Sequence, residues 1–182
     1  MLYPLRVIPI YMERIWGGTG LREEFGRKLP GAKIGESWEV TCRTDAMSIV
    51  AEGPWQGKRL ADLIGEYQAD LLGTEIPVDR SFPLLLKILD AQDLLSVQVH
   101  PDDEYARVYE DSLGKEEVWY ILRASLGAKI IYGLKQGVTR KDLLRALDAG
   151  KIGDCLNEVE VKAGEVYPIS AGMAHALGSG IM

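Results

Sequence analysis

Cysteine and histidine are scarce in this chain, with two of each among 182 residues. Cys42 and Cys155 are too few for a disulfide framework, and neither lies in a CxxC pattern. They read as reduced thiols, and a closed thiolate zinc site is excluded. No apolar run is long enough for a membrane span, because Lys87 interrupts the longest one. The N-terminal MLYPLRVIPIYMERIWGG carries Pro4, Arg6 and Pro9 where a signal-peptide core would have to be, so it is expected to be an edge strand. Basic runs are absent too and the formal charge is −6, which argues against nucleic acid or an anionic membrane as partner. With no internal repeat and no low-complexity linker, the length predicts one cytoplasmic domain spanning 1–182, acting on a small molecule.

What is present is a series of short strands punctuated by glycine and proline. A turn is expected at Ile15–Gly18, one or two helical turns at Thr19–Phe25, and strands at Ile34–Thr41 and Met47–Val50. Within the first of these strands, Glu36 and Glu39 flank Trp38, which reads as salt-bridged carboxylates around a buried aromatic. Arg59–Leu72 places Leu60, Leu63, Ile64, Tyr67, Leu71 and Leu72 on a 3.6-residue stripe, an amphipathic helix closed by Gly73. Two apolar segments, Pro83–Leu89 and Leu94–Val99, flank a polar turn at Asp90–Asp93, and Pro101-Asp102-Asp103 starts a short helix. Glu117–Leu122 and Lys129–Tyr132 are expected to pair as a hairpin across Ala124–Gly127. Thr139 and Asp142 are spaced as a capping box for a helix ending at Gly150. Strands Asn157–Val161 and Glu165–Ile169, then a turn at Ser170–His175, complete the series. Many short strands with Gly-rich turns predict an antiparallel barrel or double-sheet roll with inserted helices.

The two histidines, His100 and His175, each close an expected strand. Gln98 lies two residues before His100, so strand alternation points both the same way. Glu117 opens the EVWYIL strand with a carboxylate where apolar neighbours prevail. Two imidazoles, a carboxylate and an amide oxygen make an N/O set that borderline divalent metals such as zinc accept at roughly 2.0–2.2 Å. By spacing alone, two distant histidines are more often unrelated surface or core residues than a metal pair.

The blocks PLLLKILDA, LSVQVHPDDEYA, GKEEVWYIL and AGMAHALGSGI occur in this order, with IWGG and GESWEV upstream and IYGLKQGVTRKDL between the last two. Together they resemble the signature blocks of the type I mannose-6-phosphate isomerases, in the short bacterial form of this cupin-fold zinc enzyme. The resemblance implies a mainly β, cupin-type jelly-roll barrel with inserted α-helices and a Zn2+ cofactor. It also implies interconversion of mannose 6-phosphate and fructose 6-phosphate through a cis-enediol. Matched residue by residue, Gln98, His100, Glu117 and His175 fall on the family's metal ligands, and Lys87 and Lys115 on basic positions lining its sugar-phosphate pocket.

The departures from the family are local. Ser170 stands where it has Pro before the Ala-Gly of the late histidine block, and Val118 replaces a small or thiol residue. The chain ends at Met182, directly after GSGI, whereas the family continues through further strands and a YR-x-Y-D-type block with its catalytic arginine. The resemblance therefore implies a C-terminally incomplete cupin-like domain, catalytic residues that stay unassigned, and an unpartnered edge at Glu165–Ile169 open to homodimer formation. A metal- and sugar-binding cupin without turnover is the alternative. Another metal-cupin enzyme, or a plain jelly-roll scaffold, is the remaining reading.

Overall fold

The computed structural model of the protein describes residues 2–76 and 82–182. The chain divides into two compact units, Met1–Leu89 and Asp90–Met182.

In the first unit, β1 (Ile10–Gly18), β2 (Ile34–Val40) and β5 (Leu86–Leu89) form an antiparallel sheet with β2 in the centre. The turn expected at Ile15–Gly18 is instead the far end of β1, which breaks register after Met12 and again before Gly18 meets Ile34. Gly17 makes this approach feasible, since a Cβ there would lie 2.3 Å from the Gly35 nitrogen. The strand expected at Met47–Val50 shrinks to β4 (Ala46–Met47), paired with β3 (Cys42–Arg43), followed by single bridges at Ile49 and Val50. α1 spans Gly20–Phe25 as expected. The single helix expected at Arg59–Leu72 is two helices, α2 (Leu60–Tyr67) and α3 (Ala69–Leu72). Gln68 breaks it at φ 41°; its N–H closes α2 on the Ile64 carbonyl, while its own carbonyl starts α3. The stripe faces inward as expected, with Leu60 and Leu63 buried.

In the second unit, β7 (Lys129–Leu134) lies between β8 (Leu156–Glu160) and β10 (His175–Leu177), and β6 (Glu117–Tyr120) pairs with β9 (Val166–Ile169). The expected β6–β7 hairpin does not form. Leu122 and Arg123 donate instead to the Met182 carbonyl, and Ser125 to that of Gly180, so the link after β6 carries the chain into the other sheet. The Lys162–Gly164 turn does the same between β8 and β9. β9 is not the unpartnered strand the sequence suggested, because four residue pairs join it to β6. The strand expected at Leu94–Val99 is a looser strap, bridged to β10 at Gln98–His175 and tied by the Leu95 N–H to the Leu177 carbonyl. α4 (Asp103–Tyr109) follows Pro101, and α5 (Arg140–Asp148) carries the anticipated Thr139–Asp142 capping box. Ile121, Ile130, Ile169 and Ile181 are almost fully buried in this unit. The described strands thus fall into four sheets, of three, three, two and two strands, none of them closed on itself.

β2 also shows how the fold keeps a buried carboxylate ionised. Glu36 is 7% exposed and accepts hydrogen bonds from Trp38 Nε1 (2.6 Å), Arg14 Nε (2.9 Å) and Lys87 Nζ (3.2 Å). Burial alone would push its pKa up, but the Trp38 and Arg14 hydrogen bonds and the Lys87 charge outweigh it and hold the carboxyl below its ordinary value. On the other face Glu39 takes a two-pronged contact from Arg27, with Ser37 donating to the same carboxylate.

A lowered folded-state pKa stabilises above the unfolded value and is lost as pH falls through the folded one. Glu36→Gln is therefore expected to cost about 2 kcal/mol at neutral pH in urea unfolding. The variant should also lack the part of the wild-type stability loss that sets in below about pH 4.3.

Candidate metal centre

Three elements of the second unit deliver three side chains to one point. His100 ends the strap, Glu117 opens β6 and His175 opens β10. The strap is held by reciprocal backbone bonds, Gln98 N–H to the His175 carbonyl and His175 N–H to the Gln98 carbonyl, each 2.9 Å. Pro101 and Asp102 end it, Asp102 capping α4 by accepting from the Tyr105 N–H at 2.8 Å. A second clamp joins this corner to the start of β6. The Lys115 N–H donates to the Pro101 carbonyl (3.0 Å) and the Gly114 N–H to Asp103 Oδ1 (2.9 Å). Gly114 has to be glycine here, because a Cβ would lie 2.5 Å from backbone atoms of Asp102 and Asp103. At the late histidine, the Met173 N–H closes the turn on the Ser170 carbonyl at 3.1 Å, with Gly172 at φ 81°.

The ligating atoms of His100, Glu117 and His175 lie within 4.8 Å of one another. The two Nε2 atoms are 3.2 Å apart, and Glu117 Oε2 is 2.5 Å from His100 Nε2. Tetrahedral zinc with ligands at about 2.0–2.2 Å has ligand–ligand edges of roughly 3.3–3.6 Å, so the imidazole pair is already spaced for it. His175 is 2% exposed, and its Nδ1 lies 2.8 Å from the Met173 carbonyl, which can accept only a proton. That contact assigns the N–H to Nδ1 and leaves the Nε2 lone pair for the shared point. For His100, burial first and then the Lys115 charge lower the pKa, against the opposing pull of Glu117, and the neutral ligating form is favoured. Burial would raise the Glu117 pKa, but the Lys115 hydrogen bond and charge, with His100 and Trp119, bring it below its ordinary value.

Of the residues singled out by sequence, His100, Glu117, His175 and Lys115 come together. The Lys115 ammonium hydrogen-bonds Glu117 Oε2 and lies 3.0 Å from His100 Nε2. Gln98 is exposed and meets His175 through its backbone. Lys87 belongs to the first unit, where it bonds Glu36 and sits 4.4 Å over the Trp38 ring. Sequence reasoning missed Trp119, whose Nε1 donates to Glu117 Oε1 at 3.1 Å and whose ring meets His175 edge-on. Strand alternation could have found it, since Trp119 is two residues from Glu117 on the same face. It also missed the Asp103–Gly114 clamp, which no local pattern announces.

Residues 5–120 match the family model described as the phosphomannose isomerase type I catalytic domain. The chain is 41% identical over 182 residues to a mannose-6-phosphate isomerase of Streptococcus mutans serotype c, covering 100% of this chain and 56% of the relative. A second relative, from Bacillus subtilis (strain 168), is 42% identical over 180 residues, with 98% and 56% covered. The crystal structure of a mannose 6-phosphate isomerase from Bacillus subtilis superposes with a TM-score of 0.89 at 37% identity, over 98% of this chain and 56% of that one. A phosphomannose isomerase from Salmonella typhimurium, at 17% identity and a TM-score of 0.77, shares the fold over 97% of this chain and 66% of its own. The chain thus spans little more than half the length of the curated relatives it matches.

Gly114→Ala has no flexible neighbour to displace, so the clamp itself must shift. We expect a loss of about 1–3 kcal/mol in urea unfolding. Gly65→Ala, in open space within α2, should instead be neutral or stabilise by about 0.5–1 kcal/mol. Equal effects at the two positions would show that the clamp does not constrain the loop.

Proposed function

The chain belongs to the type I phosphomannose isomerases, and from that membership we propose that it interconverts mannose 6-phosphate and fructose 6-phosphate by moving a proton between C1 and C2 through a cis-enediol. The observation that carries this reading is the convergence of His100 Nε2, His175 Nε2 and Glu117 Oε2. It is a sulfur-free N/O set whose imidazole pair lies near tetrahedral spacing, which suits zinc. We assign these three side chains as ligands and the Gln98 amide oxygen as the fourth, on a cupin-type jelly-roll scaffold. The relatives' activity as mannose-6-phosphate isomerases and the matching motif blocks support the choice of sugar phosphate.

A hydrogen beside a carbonyl is too weak an acid to leave unless the enediolate oxygen is stabilised. A bound zinc would supply that stabilisation by holding sugar oxygens and offsetting their charge. The protein's own groups set the conditions for this. Met173 fixes the His175 tautomer, Trp119 orients the Glu117 carboxylate, and partial burial keeps water from screening the charges. Glu117 is a poor candidate for the proton-transfer base, because Trp119 engages one oxygen and the shared point engages the other. Lys115, beside the cluster, supplies a cation for the phosphate-bearing substrate, whereas the Lys87 ammonium is engaged by Glu36 within the first unit. The free thiols Cys42 and Cys155 accord with a reducing, cytoplasmic setting.

Isomerase activity on mannose 6-phosphate should accompany about one bound zinc per chain, vanish on chelation and return with zinc. His100→Ala and His175→Ala should each weaken zinc binding by more than the roughly 10–100-fold typical of losing an outer-shell partner. Bound zinc without turnover would keep the site and make this chain a binding module. Intact metal content and activity in His100→Ala would overturn the ligand assignment.

A further inference from the structure

Metal ligation by itself leaves Lys115 without a role at the cluster. Its ammonium is bonded to Glu117 Oε2 and lies 3.0 Å from His100 Nε2, two of the four atoms assigned as ligands. Trp119 holds Glu117 Oε1, so Oε2 is the oxygen for which a metal and the ammonium must compete. The Glu117 carboxylate is a negative charge that a cation at this point offsets, and the Lys115 ammonium is the cation bonded to it. The Lys115 backbone is pinned to the Pro101 carbonyl, whereas its side chain is 47% exposed on a long flexible stem. Exchange therefore needs only side-chain rotation, with no movement of the loop.

Resting on the metal reading of this site, we infer that Lys115 is the resident counter-cation of the His100–Glu117–His175 cluster. It is displaced when the metal enters, and its amine is then presented to the anionic substrate. Metal loading and exposure of the substrate-facing amine are thereby one event: the site without metal withholds a charge that the loaded site offers.

The test uses the purified protein and zinc alone. Zinc affinity is measured by competition with a chromophoric chelator for the wild type and for Lys115→Met. Acetylation of Lys115 in the wild type is followed by mass spectrometry with and without zinc. Lys115→Met should bind zinc at least about fivefold more tightly, and zinc should raise Lys115 acetylation by a similar factor. Equal or weaker zinc binding by a folded Lys115→Met overturns the inference. So does tighter binding with no change in acetylation, which would indicate repulsion through space without exchange. If Lys115→Met does not fold by circular dichroism, the wild-type acetylation decides alone. Absence of zinc binding to the wild type would sink the metal reading itself and the exchange with it, an outcome distinct from zinc binding without displacement.

Discussion

The antiparallel pairing of the strap with the last strand is the constraint on which the second unit depends. Ala91 bonds Ile181, Leu95 bonds Leu177, and Gln98 and His175 exchange both backbone bonds. Each contact joins residues more than 75 positions apart, so the loop closed between them costs conformational entropy that burial must offset. The offset comes from Ile121, Ile130, Ile169 and Ile181, which lie almost wholly out of water. Because the Gln98–His175 pair fixes register, a one-residue slip would turn His175 to the opposite face and dismantle the cluster.

Two carboxylates in the chain are handled by one device used to different ends. Glu36 and Glu117 each stand two residues before a tryptophan on the same strand face, and each accepts from that indole and from a lysine. At Glu36 an arginine completes the set and the carboxylate is nearly sealed, which makes the arrangement a structural anchor. At Glu117 two imidazoles take the arginine's place, and the carboxylate stays partly accessible. The indole restrains one oxygen in both cases, and what surrounds the other oxygen separates an anchor from a site.

The local chemistry of the chain was legible in residue order. The Arg59–Leu72 stripe, the Thr139–Asp142 capping box and the salt-bridged Glu36–Trp38–Glu39 strand all follow from side-chain periodicity and short-range hydrogen bonding. His100, Glu117 and His175 were picked out as well, since so few histidines are available, whereas Lys115 entered only through the family resemblance and as a pocket residue. Pairing between strands was not legible. EVWYIL and KIIY look like a hairpin because they are close in sequence, yet the link between them finds better backbone partners at Gly180 and Met182. Gln68 likewise broke a helix that its apolar stripe carries through without interruption, because periodicity does not register backbone φ.

Membership in the family, the scarcity of histidine and the identity of the three side chains that converge were determined by the sequence itself, through residue types that few other arrangements would require. Tertiary structure decided what those residues are to one another. It set the 3.2 Å spacing of the imidazoles, the tautomer imposed by Met173, the indole on Glu117 and the lysine ammonium at the shared point. The physical reason is that a side chain's chemical type is carried by the residue, whereas its pKa, its tautomer and its partner depend on groups brought near by backbone bonds between distant segments.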